Sequence, residues 1–212
     1  MSLGVDPGAH GAMALVASPA PGGRPVLVGV WRVDKPDLGA YHAAACRIFE
    51  RVAAILAGAT PAITVEDIPP FGQARTAAGL ARRQGLLLGA LFSAGLQGPV
   101  LLPPLQWIDA YKGRVRRGKD KADGGAHRLV EAAALVDCRG LELTVDQAEA
   151  VLIAGSALLL RGEWKLDHLP EVGKKVRADH LRDAAEMMPA KKTRKKATAE
   201  DSSGVRKRRG KA

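Results

Sequence analysis

Apolar positions in the first third of the chain come in short runs, set apart by turn formers. Residues 3–6 and 12–17 read as two apolar strands joined by the turn-rich link Pro7-Gly8-Ala9-His10-Gly11. A second turn, Ser18-Pro19-Ala20-Pro21-Gly22-Gly23, leads into residues 26–33, an imperfect alternation that predicts a third strand. Three strands with short links form an antiparallel meander. The period then changes. Residues 39–58 are Ala-rich and carry Tyr41, Ile48, Val52, Ile55 and Leu56 at helical spacing. Residues 62–65 predict a fourth strand that ends on Glu66-Asp67, and Pro69-Pro70 prevents its continuation. A long helix follows over residues 73–96, polar at its start and almost wholly apolar from Leu86. Residues 100–102 predict a fifth strand, broken by Pro103-Pro104, and residues 107–111 a short helix. After a basic loop over 112–121, helices are predicted at 122–136, with a weak start at Gly124-Gly125, and at 145–160. The order βββαβαβαα implies an α/β fold: a mixed five-stranded sheet with helices on both faces. No internal repeat is present.

Composition adds limits to that picture. The chain is 47% hydrophobic but only 4% aromatic, so Leu, Val, Ile and Ala must fill the core. The longest apolar runs, at 86–96 and 150–160, are too short to span a bilayer. The first residues lack the basic and apolar regions of a secretory signal. Cys46 and Cys138 stand far apart without a partner motif and read as reduced thiols of a cytoplasmic protein.

Charge divides the chain in two. Residues 174–212 hold 14 of the 32 Lys and Arg but only 5 of the 22 Asp and Glu, so they carry +9 of the net +10. Such a composition cannot bury a core. The expected organisation is a folded domain over residues 1–165 and a basic, largely disordered tail over 166–212. A cationic tail of this kind suits a polyanion, most simply nucleic acid; a solubilising or localising role is the plainer alternative.

Four acids fall at the ends of predicted elements. Asp6 closes the first strand and Glu66 the fourth. Asp146 and Glu149 lie three residues apart in the opening of the last helix, hence on one face. Each has an ordinary explanation: a turn at Asp6-Pro7-Gly8, a solvated strand end, or, with Thr144 and Gln147, a capping box. Were strands one and four neighbours, with the last helix lying across them, all four carboxylates would meet. A cluster like that repels itself and persists around cations. Hard oxygen ligands favour Mg²⁺ or Mn²⁺. Two such ions about 3.5–4 Å apart serve phosphodiester hydrolysis.

Gly4-Val5-Asp6-Pro7-Gly8, then Val65-Glu66, then Asp146-Gln147-Ala148-Glu149-Ala150, in that order, resembles the RuvC family of Holliday junction resolvases, over about residues 2–160. Pro69-Pro70-Phe71 and the compact length look more like the phage branch of that family. The resemblance implies an RNase H-like fold and a cytoplasmic enzyme of a bacterium or a phage-infected cell. It implies an endonuclease that resolves branched DNA, above all four-way junctions, by paired nicks. The catalytic acids and metal ligands would be Asp6, Glu66, Asp146 and Glu149, holding two Mg²⁺, for which Mn²⁺ would substitute. Glu149 departs from the Asp or His usual there in bacterial members. By the same resemblance Lys119-Asp120-Lys121-Ala122 matches a basic segment whose lysines contact phosphate near the scissile bond. Lys121 is the favoured catalytic lysine and Lys112 the second choice. Phe71 would stack at the junction centre; a core Phe anchoring the start of the following helix is the equal alternative. Arg75, Arg82 and Arg83, with Lys112, Arg114, Arg116, Arg117 and Lys119, would hold the DNA backbone, though solvated surface charge is their ordinary explanation. A two-fold symmetric junction implies a homodimer, with the apolar half-helix 86–96 as its interface or as plain core. No membrane or nucleotide cofactor enters this reading.

Three other readings remain open from the residues alone. Another RNase H-like nuclease or transposase shares the acid pattern. An actin-like kinase shares the first motif but needs a second such domain. A non-catalytic DNA-binding protein on the same fold would not need all four acids.

Overall fold

The computed structural model describes residues 1–8, 10–20, 23–35, 37–68, 74–115 and 125–166. Strands β1 (Ser2–Asp6), β2 (Ala12–Ala17) and β3 (Val26–Arg32) form the antiparallel meander. Strands β4 (Ala62–Glu66) and β5 (Val100–Leu102) then extend the sheet in parallel with β1, giving the order β3-β2-β1-β4-β5. The mixed five-stranded sheet predicted from the sequence is the one observed, with β1 at its centre.

Alternation along the strands sorts side chains to two faces. Leu3, Val5, Met13, Leu15, Ile63 and Val65 point to one side, where they meet helices α1 (Leu38–Leu56) and α2 (Ala74–Ser93). Ala12, Ala14 and Val16 point to the other, against α3 (Pro104–Asp109), α4 (His127–Leu135) and α5 (Val145–Leu160). On β1 this second face carries Ser2, Gly4 and Asp6, and on β4 it carries Thr64 and Glu66.

Helix α5 is apolar on every side and buried from Ala148 to Leu158, as a helix sandwiched within a domain must be. It begins in a capping box: Thr144 Oγ1 accepts from the Gln147 N–H at 3.3 Å, and Gln147 Oε1 accepts from the Thr144 N–H at 2.9 Å. Gly4 lets it lie close. A Cβ at Gly4 would overlap the Ala150 carbonyl and the Ala154 backbone. Ser2 Oγ donates to the Ala154 carbonyl at 2.8 Å, and Tyr111 Oη to that of Leu152 at 2.5 Å. The helix therefore runs back along β1, its opening turn over the strand's end.

The three largest boundary shifts from the sequence expectation lie at the helices. α2 ends at Ser93, because Gly95 takes a left-handed φ of +76° and Leu96 turns into the core. α3 starts at Pro104, since a proline in the first helical turn forfeits no hydrogen bond. α4 starts at His127, after Gly125 at φ +90°. Beyond α5, Trp164 and Leu166 return to the core. Leu87, Ala90, Leu91 and Leu96 are also core, while Phe92 is 53% exposed. Both cysteines are free thiols. Among the described residues no helix is long and apolar enough to cross a membrane. The basic tail lies outside them from residue 167 onward.

Candidate metal centre

Alternation on β1 turns Asp6 toward α5, and the chain reverses directly after it. The Gly8 N–H donates to Asp6 Oδ1 at 2.8 Å. Proline at position 7 fixes that turn, so the carboxylate is held at the tip of the central strand, only 4% exposed. Asp146 in the first turn of α5 and Glu149 one turn further present their carboxylates to it. Oxygen atoms of Asp6, Asp146 and Glu149 all lie within 4.8 Å of one another. Burial pushes the Asp6 carboxyl well above the usual range; the Glu66, Glu149 and Asp146 charges add to the rise, and the Gly8 N–H opposes it.

Glu66 ends the neighbouring strand on the same face. It stands outside the group of three, yet of the neighbouring carboxylates it contributes most to raising Asp6, after burial itself. The indole N–H of Trp107, on α3, donates to Glu66 Oε1 at 3.0 Å.

The donor set suits a hard divalent cation. An octahedral Mg²⁺ with bonds of about 2.0–2.1 Å keeps its ligand oxygens roughly 3–4 Å apart. A cation held by the three acids would draw their oxygens closer and offset the repulsion that adds to the rise of Asp6.

Three residues that the sequence reading passed over complete the surroundings. Arg128 on α4 is 2% exposed, and its Nε donates to Glu149 Oε1 at 3.3 Å. Its Nη1 donates to Glu131 Oε2 at 3.1 Å, and the guanidinium stands 5.2 Å from the centre of the Trp107 ring. The signal in the sequence was slight: an Arg and a Glu three apart in an otherwise apolar helix, which usually marks a solvated face.

The remaining expected residues fall as follows. Lys112 is exposed, at φ +50° in the turn after α3, and Arg114 is half-buried beside it. Arg82 is exposed, whereas Arg83 lies 5.4 Å over the Tyr41 ring. Arg75 belongs to α2, but its side chain is outside the described set. Phe71, Arg116, Arg117, Lys119 and Lys121 lie outside the described residues. His10, in the link after β1 and no part of the expected site, pairs with Asp34 at 2.9 Å in an exposed turn.

No protein-family model matches the sequence, and no curated protein matches it. Solved structures do match. The RuvC of Thermus thermophilus in complex with a Holliday junction substrate aligns at a TM-score of 0.56 with 22% identity, covering 75% of this chain and 93% of that one. A second Thermus thermophilus RuvC structure aligns at 0.55 with 23% identity, over 76% and 96%. A fowlpox virus resolvase in complex with Holliday junction DNA aligns at only 0.37 with 13% identity, over 73% and 95%. The fold of this chain is thus the RNase H-like fold of the RuvC structures.

Proposed function

We propose that this chain is a metal-dependent endonuclease that cuts branched DNA, above all four-way junctions. The observation that carries the reading is the convergence of Asp6, Asp146 and Glu149 at the tip of the central strand, with Glu66 beside them, on the RuvC fold. That the Thermus thermophilus protein was solved on a Holliday junction supports the choice of substrate.

In this reading Asp6, Glu66, Asp146 and Glu149 hold two Mg²⁺, and Mn²⁺ substitutes. Bound there, the ions supply an activated water and neutralise charge on the leaving oxygen. The residues of the chain do the positioning. Asp6, pinned by Gly8 and shielded from solvent, gives the site a fixed corner. The water oxygen bonds to phosphorus, the P–O3′ bond breaks, and the products carry a 5′-phosphate and a 3′-hydroxyl. Lys121 offsets the charge that builds on the phosphate. Arg75, Lys112, Arg114, Arg116, Arg117 and Lys119 bind the backbone without reading sequence, so binding weakens steeply with salt. Phe71 stacks on an unpaired base at the junction centre. Paired nicks in a two-fold symmetric junction require two sites, and hence a homodimer; the half-helix 86–96 is its candidate interface, with Phe92 the most exposed large apolar residue there.

The test is cleavage of a labelled synthetic four-way junction in Mg²⁺ and in EDTA, beside linear duplex of the same arm sequence. Wild type should nick the junction symmetrically in Mg²⁺ alone. Asp6→Asn should bind the junction and not cut it. Tight binding with no cutting by wild type in either Mg²⁺ or Mn²⁺ would refute the enzyme. Equal cutting of duplex and junction would refute the substrate.

A further inference from the structure

Every acid that would hold the metals needs its carboxylate fixed, and the three best-placed supports differ in kind. Asp6 is short and is held by the backbone N–H of Gly8. Glu66 and Glu149 are longer and would otherwise sample several rotamers. Each is gripped at one oxygen by a buried side chain: Glu66 Oε1 by the Trp107 N–H at 3.0 Å, and Glu149 Oε1 by Arg128 Nε at 3.3 Å. Those two side chains also touch each other, with the Arg128 guanidinium 5.2 Å from the Trp107 ring centre. A continuous path therefore joins the glutamate at the end of β4 to the glutamate on α5, through one residue of α3 and one of α4. Both are almost wholly enclosed, Trp107 at 1% and Arg128 at 2% exposed. A buried cation–ring contact of this kind is worth more than an exposed one and resists rearrangement.

The guanidinium is itself anchored. Its Nη1 binds Glu131 Oε2 at 3.1 Å, one helical turn along α4. Among the described residues the guanidinium serves Glu131 on its own helix and Glu149 of the acid cluster. Glu131 fixes the direction in which the guanidinium presents Nε. Partners that orient ligands behind a metal are worth about 10–100-fold in metal affinity.

We infer that Trp107 and Arg128 form a brace that positions Glu66 and Glu149 as metal ligands, with Arg128 setting the reach of the glutamate at position 149. The inference rests on the metal site proposed above but not on the substrate. Trp107 and Arg128 are positioning residues: neither touches DNA or metal in this scheme.

The experiment measures Mn²⁺ affinity of the full chain without DNA, by the electron paramagnetic resonance signal of free Mn²⁺, beside the melting temperature in EDTA. Trp107→Phe keeps the ring and deletes the N–H. Arg128→Lys keeps the charge and deletes the planar fork. Each should weaken Mn²⁺ binding about tenfold or more while the protein remains folded in EDTA. The decisive arm repeats Arg128→Lys in a Glu149→Asp background, whose shorter side chain no longer reaches Nε. There the lysine substitution should change Mn²⁺ affinity less than twofold. A merely structural Arg128 would lower affinity equally in both backgrounds, and that result would overturn the brace. Trp107→Phe with wild-type affinity would do the same, and it keeps the test alive should Arg128→Lys fail to fold. A wild type that binds no Mn²⁺ would overturn the metal site and the brace together. A wild type that binds Mn²⁺ but cuts no junction would overturn the substrate alone, and the brace would stand on the affinities.

Discussion

Substituting Gly4 by Ala tests how α5 is seated. The added Cβ would sit against the Ala150 carbonyl and the Ala154 nitrogen, more than an ångström inside the 3.4–4 Å of ordinary contact. Both neighbours are backbone of a buried helix, so no side chain can swing aside. Helix α5 must lift from β1 by about an ångström, or the sheet must bend. Overpacking of this kind costs about 1–3 kcal/mol. For a domain of this size each kcal/mol lowers the melting temperature by about 2–4 °C, so a fall of roughly 2–12 °C is expected. The functional consequence is sharper. Asp6 rides on the strand, while Asp146 and Glu149 ride on the helix, so lifting one from the other opens the acid cluster directly. A misplacement of about 1 Å can cost roughly a hundredfold in rate. Junction cleavage and Mn²⁺ affinity should fall together, and by more than the loss of stability explains. Gly85→Ala is the control: it lies in α2 with nothing within 4 Å of the added carbon, and should gain about 0.5–1 kcal/mol. A Gly4→Ala protein that melts, binds Mn²⁺ and cuts like wild type would refute this account of the seating.

Two further outcomes follow from the core. The chain has two tyrosines. Burial, partly opposed by Arg83, raises Tyr41 to about 12, and burial holds Tyr111 well above its usual value of 10.0. Ultraviolet titration of the folded protein should therefore show no phenol ionising near pH 10. The folded state keeps protons that the unfolded state releases, so stability should decline as pH rises from about 10 toward 12; a normal phenol titration would refute this. Tyr111→Phe removes the hydrogen bond to the Leu152 carbonyl and should cost about 1 kcal/mol in urea unfolding, with cleavage retained; an unchanged midpoint would show that bond to be idle.

The sheet was legible because strand and helix periods differ, and because Pro and Gly punctuate nearly every boundary. The capping box at Thr144 and Gln147 was legible for the same local reason. Asp6, Asp146 and Glu149 were legible as a set through spacing, two acids three residues apart on one element and one at a strand tip, together with the family resemblance of the three motifs. What local pattern could not supply was the far side of the site. Trp107 reads as an apolar residue of a short helix, and Arg128 reads as a solvated charge. Their roles depend on α3 and α4 arriving at the same place from different crossings of the sheet, which no interval along the chain encodes. The ordering of the two glutamates was also hidden. Glu149, the departure from the usual residue, joins the close group with Asp6 and Asp146, whereas Glu66 turns one oxygen to an indole. That difference arises from which polar hydrogen lies within reach, a matter of packing.

The seating of α5 on β1 also bears on when the site comes into being. The bond from Ser2 to Ala154 joins residues 152 apart in the chain. Asp6 leaves the ribosome long before Asp146 and Glu149, which follow only after the sheet has been synthesised. Closing so large a loop is slow and gains nothing until the final helix docks. A nascent chain therefore carries Asp6 and Glu66 at the strand ends without the acids of α5, and the cluster forms only once the whole domain has emerged. An unfinished product of translation, or one cut short before α5, has no assembled acid cluster.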